Sequence, residues 1–295
     1  MKLVTYRREG TERLGLLKGD YVVDLERAGE KAGSTIPSDM ISFLTSTDET
    51  WQAAAEIDHS FDVGSSQLIG VVFPLGSVRL APPVPNPSKI ICAGLNYLDH
   101  CREQNVPIPE RPVFFSKFPS ALIGPGEPIR WHPDATTQVD YEAELAFVIR
   151  KKAYRVHREE AYDCIAGYTI VNDVSARDAQ FADRQWTRSK SFDTFCPMGP
   201  CLVTTDEIPD PHHLAIRCWV NGEIRQDSNT GQMIFDIPFL LEYLTRSSTL
   251  LPGDIISTGT PDGVGVFRNP KVFLQPGDRV DIEIDGIGRL MNTVA

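Results

Sequence analysis

No apolar run in this sequence approaches the roughly 20 residues needed to span a bilayer, so a membrane-spanning protein is excluded as a reading. The start, MKLVTYRREG, lacks the apolar core of a secretory signal and reads as a first strand, which makes the cytoplasm the expected compartment. Cysteine is sparse: the six residues at 92, 101, 164, 196, 201 and 218 form no C-x-x-C pair. A chain of 295 residues needs no disulfide framework, so reduced thiols are expected. Positive charge is also short. Lys and Arg number 29 against 40 Asp and Glu, a formal net charge of −11. That balance argues against nucleic acid as a partner. It leaves room for a small anionic substrate, provided that a few basic residues or a metal concentrate positive charge locally. Internal repeats and low-complexity runs are absent.

What remains is a globular composition, 41% apolar and 23% charged, in a chain long enough to bury a sizeable core. With 22 prolines and 22 glycines, turns and strands are expected to outweigh helices. Lys2–Tyr6 alternates as a strand, and residues 14–17 and 21–25 flank a Lys18-Gly19-Asp20 turn as a hairpin. Residues 37–58 read as helical. Pro82, Pro83, Pro85 and Pro87 then make 81–88 an extended linker, since proline at this density continues neither helix nor central strand. The expected organisation is a small leading domain over 1–80, the linker at 81–88 and a β-rich domain over 89–295. In the latter, strands are expected at 89–93, 141–149, 168–171, 215–220, 255–258 and 280–284, with helices at 97–104, 158–166 and 238–244.

The most informative segment is Asp140-Tyr-Glu142-Ala-Glu144, followed by Leu-Ala-Phe-Val-Ile149. On a strand, Glu142 and Glu144 share a face while Ala143, Leu145 and Phe147 take the other. An isolated E-x-E is usually a solvated strand face. Here the strand runs on into a core, and two buried acids this close repel unless partnered. A hard divalent cation with oxygen ligands relieves that repulsion. Asp173, at the end of the apolar run Tyr168–Val171, is the third candidate ligand, and Asp140 shares the face as a possible fourth. No histidine or cysteine has zinc-ligand spacing, so Mg²⁺ or Mn²⁺ is favoured over Zn²⁺. The histidines at 59, 132, 157, 212 and 213 are expected at the surface.

These residues sit among further motifs: Gly94-Leu-Asn-Tyr97 with His100, Phe115-Ser-Lys117, Asn172-Asp-Val-Ser-Ala-Arg-Asp178, Lys190 to Gly199, Gly253 to Gly263, and Pro276-Gly-Asp278. Together, and in this order, they resemble the fumarylacetoacetate hydrolase superfamily from about Ile90 to the C-terminus. The subgroup with a smaller N-terminal domain, the domain-containing protein 2 type and related bacterial 2-hydroxyhepta-2,4-diene-1,7-dioate isomerase-like proteins, is the nearest match. The resemblance implies an α+β chain with a mixed β-roll catalytic domain, a homodimer, and one Mg²⁺ or Mn²⁺ held by Glu142, Glu144 and Asp173. It also implies 2-oxo or 2,4-dioxo acid substrates, whose C–C bonds members hydrolyse, or which they decarboxylate or tautomerise.

Each of those reactions passes through an enolate that a Lewis-acidic ion stabilises, so metal ligation alone does not choose among them. His100 and Glu103, three apart on a short helix, share a face, and Glu103 can fix the imidazole tautomer for proton transfer or water activation. Lys190 resembles the family lysine beside the metal and supplies positive charge for an enolate. Gln180, seven residues past Asp173, matches the substrate-binding glutamine of relatives. Thr260 can offer its hydroxyl and backbone N–H to a carboxylate, and Ser116 and Lys117 are expected near the cleft. The Gly259–Gly263 loop lacks the Gly-Lys-Ser/Thr of a nucleotide site. The first expectation is hydrolysis of a C–C bond in a β-diketo acid, with His100 as base. Oxaloacetate decarboxylation or enol–keto tautomerisation is the alternative, and a non-catalytic 2-oxo-acid-binding dimer stands as a different class. Residues 98–112 are expected to form a lid.

Overall fold

The computed structural model describes residues 1–60 and 70–295. Among these, the strands are β1 (Lys2–Arg8), β2 (Thr11–Lys18), β3 (Tyr21–Asp24), β4 (Val72–Pro74), β5 (Arg79–Leu80), β6 (Ile90–Gly94), β7 (Val113–Lys117), β8 (Leu122–Ile123) and β9 (Val139–Asp140). Then follow β10 (Ala143–Ile149), β11 (Ile165–Asn172), β12 (Ser175–Ala176), β13 (Cys196–Thr204), β14 (Ala215–Val220), β15 (Glu223–Asn229), β16 (Ile255–Ser257), β17 (Arg279–Ile284) and β18 (Gly288–Thr293). The helices are α1 (Leu25–Ala32), α2 (Met40–Leu44), α3 (Asp48–Ser60), α4 (Leu98–Gln104), α5 (Arg177–Asp183), α6 (Trp186–Ser189) and α7 (Ile237–Thr245).

A 12-stranded mixed sheet runs β4-β3-β2-β1-β13-β11-β10-β16-β6-β7, with β5 on β1 and β8 on β13. Its β16–β6 pair is parallel and most of the rest antiparallel. A second sheet, β15-β14-β17-β18, packs on one face, and β9 and β12 form a short ribbon. The central strands β10 and β11 are buried along their whole lengths, as both-face coverage requires. On β10, Leu145 and Phe147 enter one core with Ile216 and Ile282, while Ala146 and Val148 enter the other with Leu3, Leu16 and Leu202.

Pairing of β1 with β13 carries the main sheet across the proline-rich segment. That segment forms neither helix nor strand and bends over 83–86, and Ala81–Val84 is buried. It is tied down by Ala81 N–H donating to Thr5 O at 2.9 Å and Thr5 Oγ1 donating to Pro83 O at 2.8 Å. The predicted helix over 37–58 is two helices, α2 and α3, with Asp39 capping the first through Ser42 N–H. The predicted helix over 158–166 is a 3₁₀ segment, Arg158–Cys164, because the apolar run from Ile165 onward is claimed by β11. All six cysteines are buried and unbridged. His212 departs from the surface expectation: it is half-buried, and its Nε2 accepts the Ile237 N–H at the start of α7. No helix among the described residues is long and apolar enough to cross a membrane.

Candidate metal and proton-transfer site

The ends of β10 and β11 build the floor. Their register opposes Ala143 to Asn172, so Glu142, just before β10, lies beside Asp173, just after β11. Asp173 N–H donates to Glu142 O at 2.9 Å, and Glu142 N–H donates to Asn172 Oδ1 at 3.1 Å. Glu144 follows on the same face. One carboxylate oxygen each of Glu142, Glu144 and Asp173 lies within 4.8 Å of the others, and all three residues are buried.

Three buried cations surround this cluster. Lys190 Nζ lies 2.7 Å from Glu142 Oε2 and 2.8 Å from Asp173 Oδ2. Lys117 Nζ lies 2.6 Å from Asp173 Oδ1 and donates to Val174 O at 3.2 Å. Arg177 Nη1 reaches Glu142 Oε1 at 2.7 Å, while its Nε donates to Asp140 Oδ2 at 2.8 Å. Asp140 is therefore committed elsewhere: it also accepts the N–H groups of Tyr141, Gly265 and Val266. Gly265 has to be glycine here, since a Cβ would meet Val272 O at 1.9 Å and Asp140 Oδ1 at 2.7 Å.

The two glutamates differ in charge balance. Burial raises the Glu142 carboxyl, but Lys190 and Arg177 together outweigh it and hold it at about 2. Burial pushes Glu144 well above the carboxylate range, and the charges of Asp173 and Glu142 push it further. Among the described residues, Glu144 has only the Ser257 hydroxyl and the Gly259 N–H, at 3.2 Å, as donors. A bound cation beside Glu144 removes that penalty. With Asp140 counted and all four acids ionised, the cluster carries one negative charge more than Lys117, Lys190 and Arg177 balance. An all-oxygen, anionic, buried cluster of this kind fits a hard divalent ion such as Mg²⁺ or Mn²⁺. With that ion in place, the floor becomes net positive and suits an anion.

Across a cavity of about 110 Å³ stands α4. Asn96 anchors its start through bonds to Thr258 O at 2.8 Å and to both backbone groups of Phe235. Asp99 holds the first turn by accepting the Ser228 hydroxyl at 2.5 Å. His100 Nδ1 and Glu103 Oε2 are 2.8 Å apart, and Glu103 Oε1 accepts Gly263 N–H at 2.8 Å. With both glutamate oxygens occupied, the imidazole donates from Nδ1 and keeps Nε2 for the cavity that its ring lines. The Phe267 ring packs at 62° to it, centroids 6.0 Å apart.

Lys190, Gln180 and Thr260 also line the cavity. Gln180 Oε1 accepts from Arg177 Nη1 at 2.9 Å. Thr260 Oγ1 donates to Ala143 O at 2.9 Å and accepts from Gln226 Nε2 at 2.8 Å. Ser116 and Lys117 are not on the cavity wall. Strand alternation on β7 sends Lys117 beneath Asp173 and Ser116 to the opposite face. Sequence reasoning gave Arg177, Gln226 and Phe267 no role. Arg177 stands in the quoted Asn172–Asp178 motif, four residues after Asp173, and its spacing was the available signal. A second unassigned feature is Gly94, where a Cβ would meet the Trp186 ring at 2.4 Å, so Trp186 can close the cavity wall.

Residues 89–295 match the family model described as fumarylacetoacetate (FAA) hydrolase C-terminal. The chain is 45% identical over 300 residues to a mitochondrial oxaloacetate tautomerase of Xenopus laevis, covering all of this chain and 90% of that protein. It is 42% identical over 300 residues to an oxaloacetate tautomerase of Bacillus subtilis, covering both in full. Among solved structures, maleylpyruvate hydrolase from Sphingobium sp. SYK-6, in complex with manganese(II) and pyruvate, superimposes with a TM-score of 0.79 at 33% identity, covering 100% of this chain and 99% of that one. A model match over most of the chain, joined to full-length likeness in sequence and fold, makes this protein a member of the fumarylacetoacetate hydrolase family.

Proposed function

We propose that this protein is a divalent-metal-dependent tautomerase that interconverts the enol and keto forms of oxaloacetate. The observation that carries the reading is that His100, paired with Glu103, lines one small cavity with Glu142 and Glu144 of the three-carboxylate cluster. The names of the two full-length relatives support the substrate. At about 110 Å³ the cavity is well below the roughly 300 Å³ lower bound for drug-sized ligands, which suits a four-carbon acid.

Glu142, Glu144 and Asp173 would hold the ion, which when bound polarises a 2-oxo group. The remaining work belongs to the chain. Lys190, its charged form favoured by Asp173 and Glu142 against burial, places an ammonium beside the oxygen on which enolate charge develops. His100 Nε2 moves the proton at C3, and Glu103 fixes the ring in the required tautomer. Arg177, Gln180 and Thr260 orient the acid, and Lys117 balances the charge of Asp173. Keto–enol exchange relocates one proton and needs no ordered water, which favours it over hydrolysis in so small a space. Hydrolysis of an acylpyruvate is the second reading, supported by the likeness to maleylpyruvate hydrolase and by the ability of a His–Glu pair to activate water.

The test follows enol oxaloacetate by ultraviolet absorbance with Mg²⁺, with Mn²⁺ and with EDTA, alongside carbon dioxide release and a panel of acylpyruvates. Metal-dependent loss of enol without carbon dioxide supports the proposal. Stoichiometric carbon dioxide, or two carbon fragments from an acylpyruvate with no effect on the enol, overturns it.

A further inference from the structure

We propose that Gln104 is the specificity-determining contact for the second carboxylate of the substrate, selecting a 2-oxo diacid over a 2-oxo monoacid of the same length. The inference rests on the tautomerase reading for the identity of the diacid, and on the cavity itself for the contact.

Almost every polar side chain on the cavity wall already has a partner within the protein. Glu142 is paired with Lys190 and Arg177, and Glu144 is bonded to Ser257 and Gly259. Gln180 is bonded to Arg177, Thr260 to Gln226, and His100 to Glu103. Gln104 lines the same cavity, half-buried, and its carboxamide makes no hydrogen bond among the described residues. A primary amide carries two N–H donors and usually spends them. Among the described residues the other unpartnered donors are Arg177 Nη2 and the Gln180 carboxamide N–H groups, and both belong to the acid end, where Arg177 is tied to Glu142 and Gln180 to Arg177.

Position gives Gln104 its role. It stands four residues after His100 on α4, so the two share a helix face, about 6 Å apart along the axis. A 2-oxo acid whose C1 carboxylate and C2 oxygen face the floor presents C3 to His100. Its C4 substituent then extends past His100 along α4, where Gln104 is the next side chain. The rest of that outer wall is apolar, with Phe181 and Phe267 on it. A carboxylate arriving there finds a ready amide donor, whereas a methyl group leaves the amide unused.

The test titrates the Mn²⁺-loaded protein with malate and with 2-hydroxybutanoate, stable acids that differ at C4 by carboxylate against methyl. In parallel, the KM for oxaloacetate is measured. In Gln104→Leu, the preference for malate should fall about tenfold and the KM for oxaloacetate should rise by a similar factor, with kcat within about twofold. Gln104→Glu should reject malate more strongly still, by like-charge repulsion, and bind 2-hydroxybutanoate with little change. Far-ultraviolet circular dichroism checks that both variants fold. Equal weakening of both ligands, or no change in either, overturns the inference. If Gln104→Leu removes the preference for malate but the wild type does not convert oxaloacetate, the contact stands and the tautomerase reading falls.

Discussion

Replacing Lys117 by methionine separates the chain's own charge balance from that of the ion. Its ammonium is fully buried against a fully buried Asp173, 2.6 Å away, and it lies behind the acids rather than in the cavity. Methionine keeps the length and removes the charge. Breaking a buried ion pair from one side costs about 3–5 kcal/mol, because the surviving charge is left without compensation. Asp173 still has Lys190 at 2.8 Å, so the expected loss is at the low end, about 3 kcal/mol. At roughly 2–4 °C per kcal/mol for chains of this size class, the melting temperature in EDTA should drop by about 6–12 °C. Saturating Mg²⁺ or Mn²⁺ restores a cation beside Asp173, so the drop should shrink. By linkage, each 1.4 kcal/mol by which it shrinks is about a tenfold gain in the variant's metal affinity. Differential scanning calorimetry with and without metal, together with metal titration, reads both sides of that cycle. An equal drop in EDTA and in metal, or weaker metal binding by Lys117→Met, would refute the argument. It would mean that Lys117 orients Asp173 for the ion rather than balancing its charge.

His100→Ala should lower kcat for the enol–keto reaction by about 10²–10⁴ with metal affinity unchanged, because the ring touches no metal ligand by hydrogen bond; a steady-state assay with a parallel Mn²⁺ titration decides it. Away from the site, Asp24 caps α1 through Arg27 N–H and accepts bonds from Tyr6 and Arg13. Burial raises its carboxyl, but the Arg13 bond, helped by Arg27 N–H and Tyr6, leaves it below the usual range. A lowered folded-state value means stability present above the unfolded value of about 3.9 and lost as pH falls through the folded one. Asp24→Asn should therefore cost about 2 kcal/mol at pH 7, with the gap to wild type narrowing in urea titrations as pH falls below about 3.9. A gap that is constant with pH would place the effect in packing.

Local pattern made a specific part of this molecule legible. Helix spacing alone put His100 and Glu103 on one face, and the structure brings them to 2.8 Å. The run after Glu144 marked a strand entering a core, and β10 is buried throughout. What local pattern could not supply is pairing across the chain. The helix expected at 158–166 fails because β11 begins at Ile165, a demand made by its neighbours β10 and β13 rather than by local propensity. The proline segment forms neither helix nor strand, as its composition requires. Its burial depends on Thr5, 78 residues before Pro83, and proline density carries no information about that contact.

Asp140, Glu142 and Glu144 make the same point about charge. They alternate in sequence as equivalent acids, and strand geometry gives all three one face. The structure sets them three different tasks through partners distant in sequence. Asp140 is claimed by Arg177, 37 residues on, and by the backbone of Gly265 and Val266, 125 and 126 residues on. Glu142 is shared between Lys190 and Arg177, and Glu144 accepts a hydroxyl and one N–H. The turn that Asp140 holds also carries Phe267, which packs on His100, while Gly263, at its start, binds Glu103. One carboxylate thus ties Arg177 at the acid floor to the loop that supports the proton-transfer pair. Placing it wrongly disturbs both ends of the cavity at once, and this is why an acid committed to Arg177 and to backbone N–H groups is still part of the site.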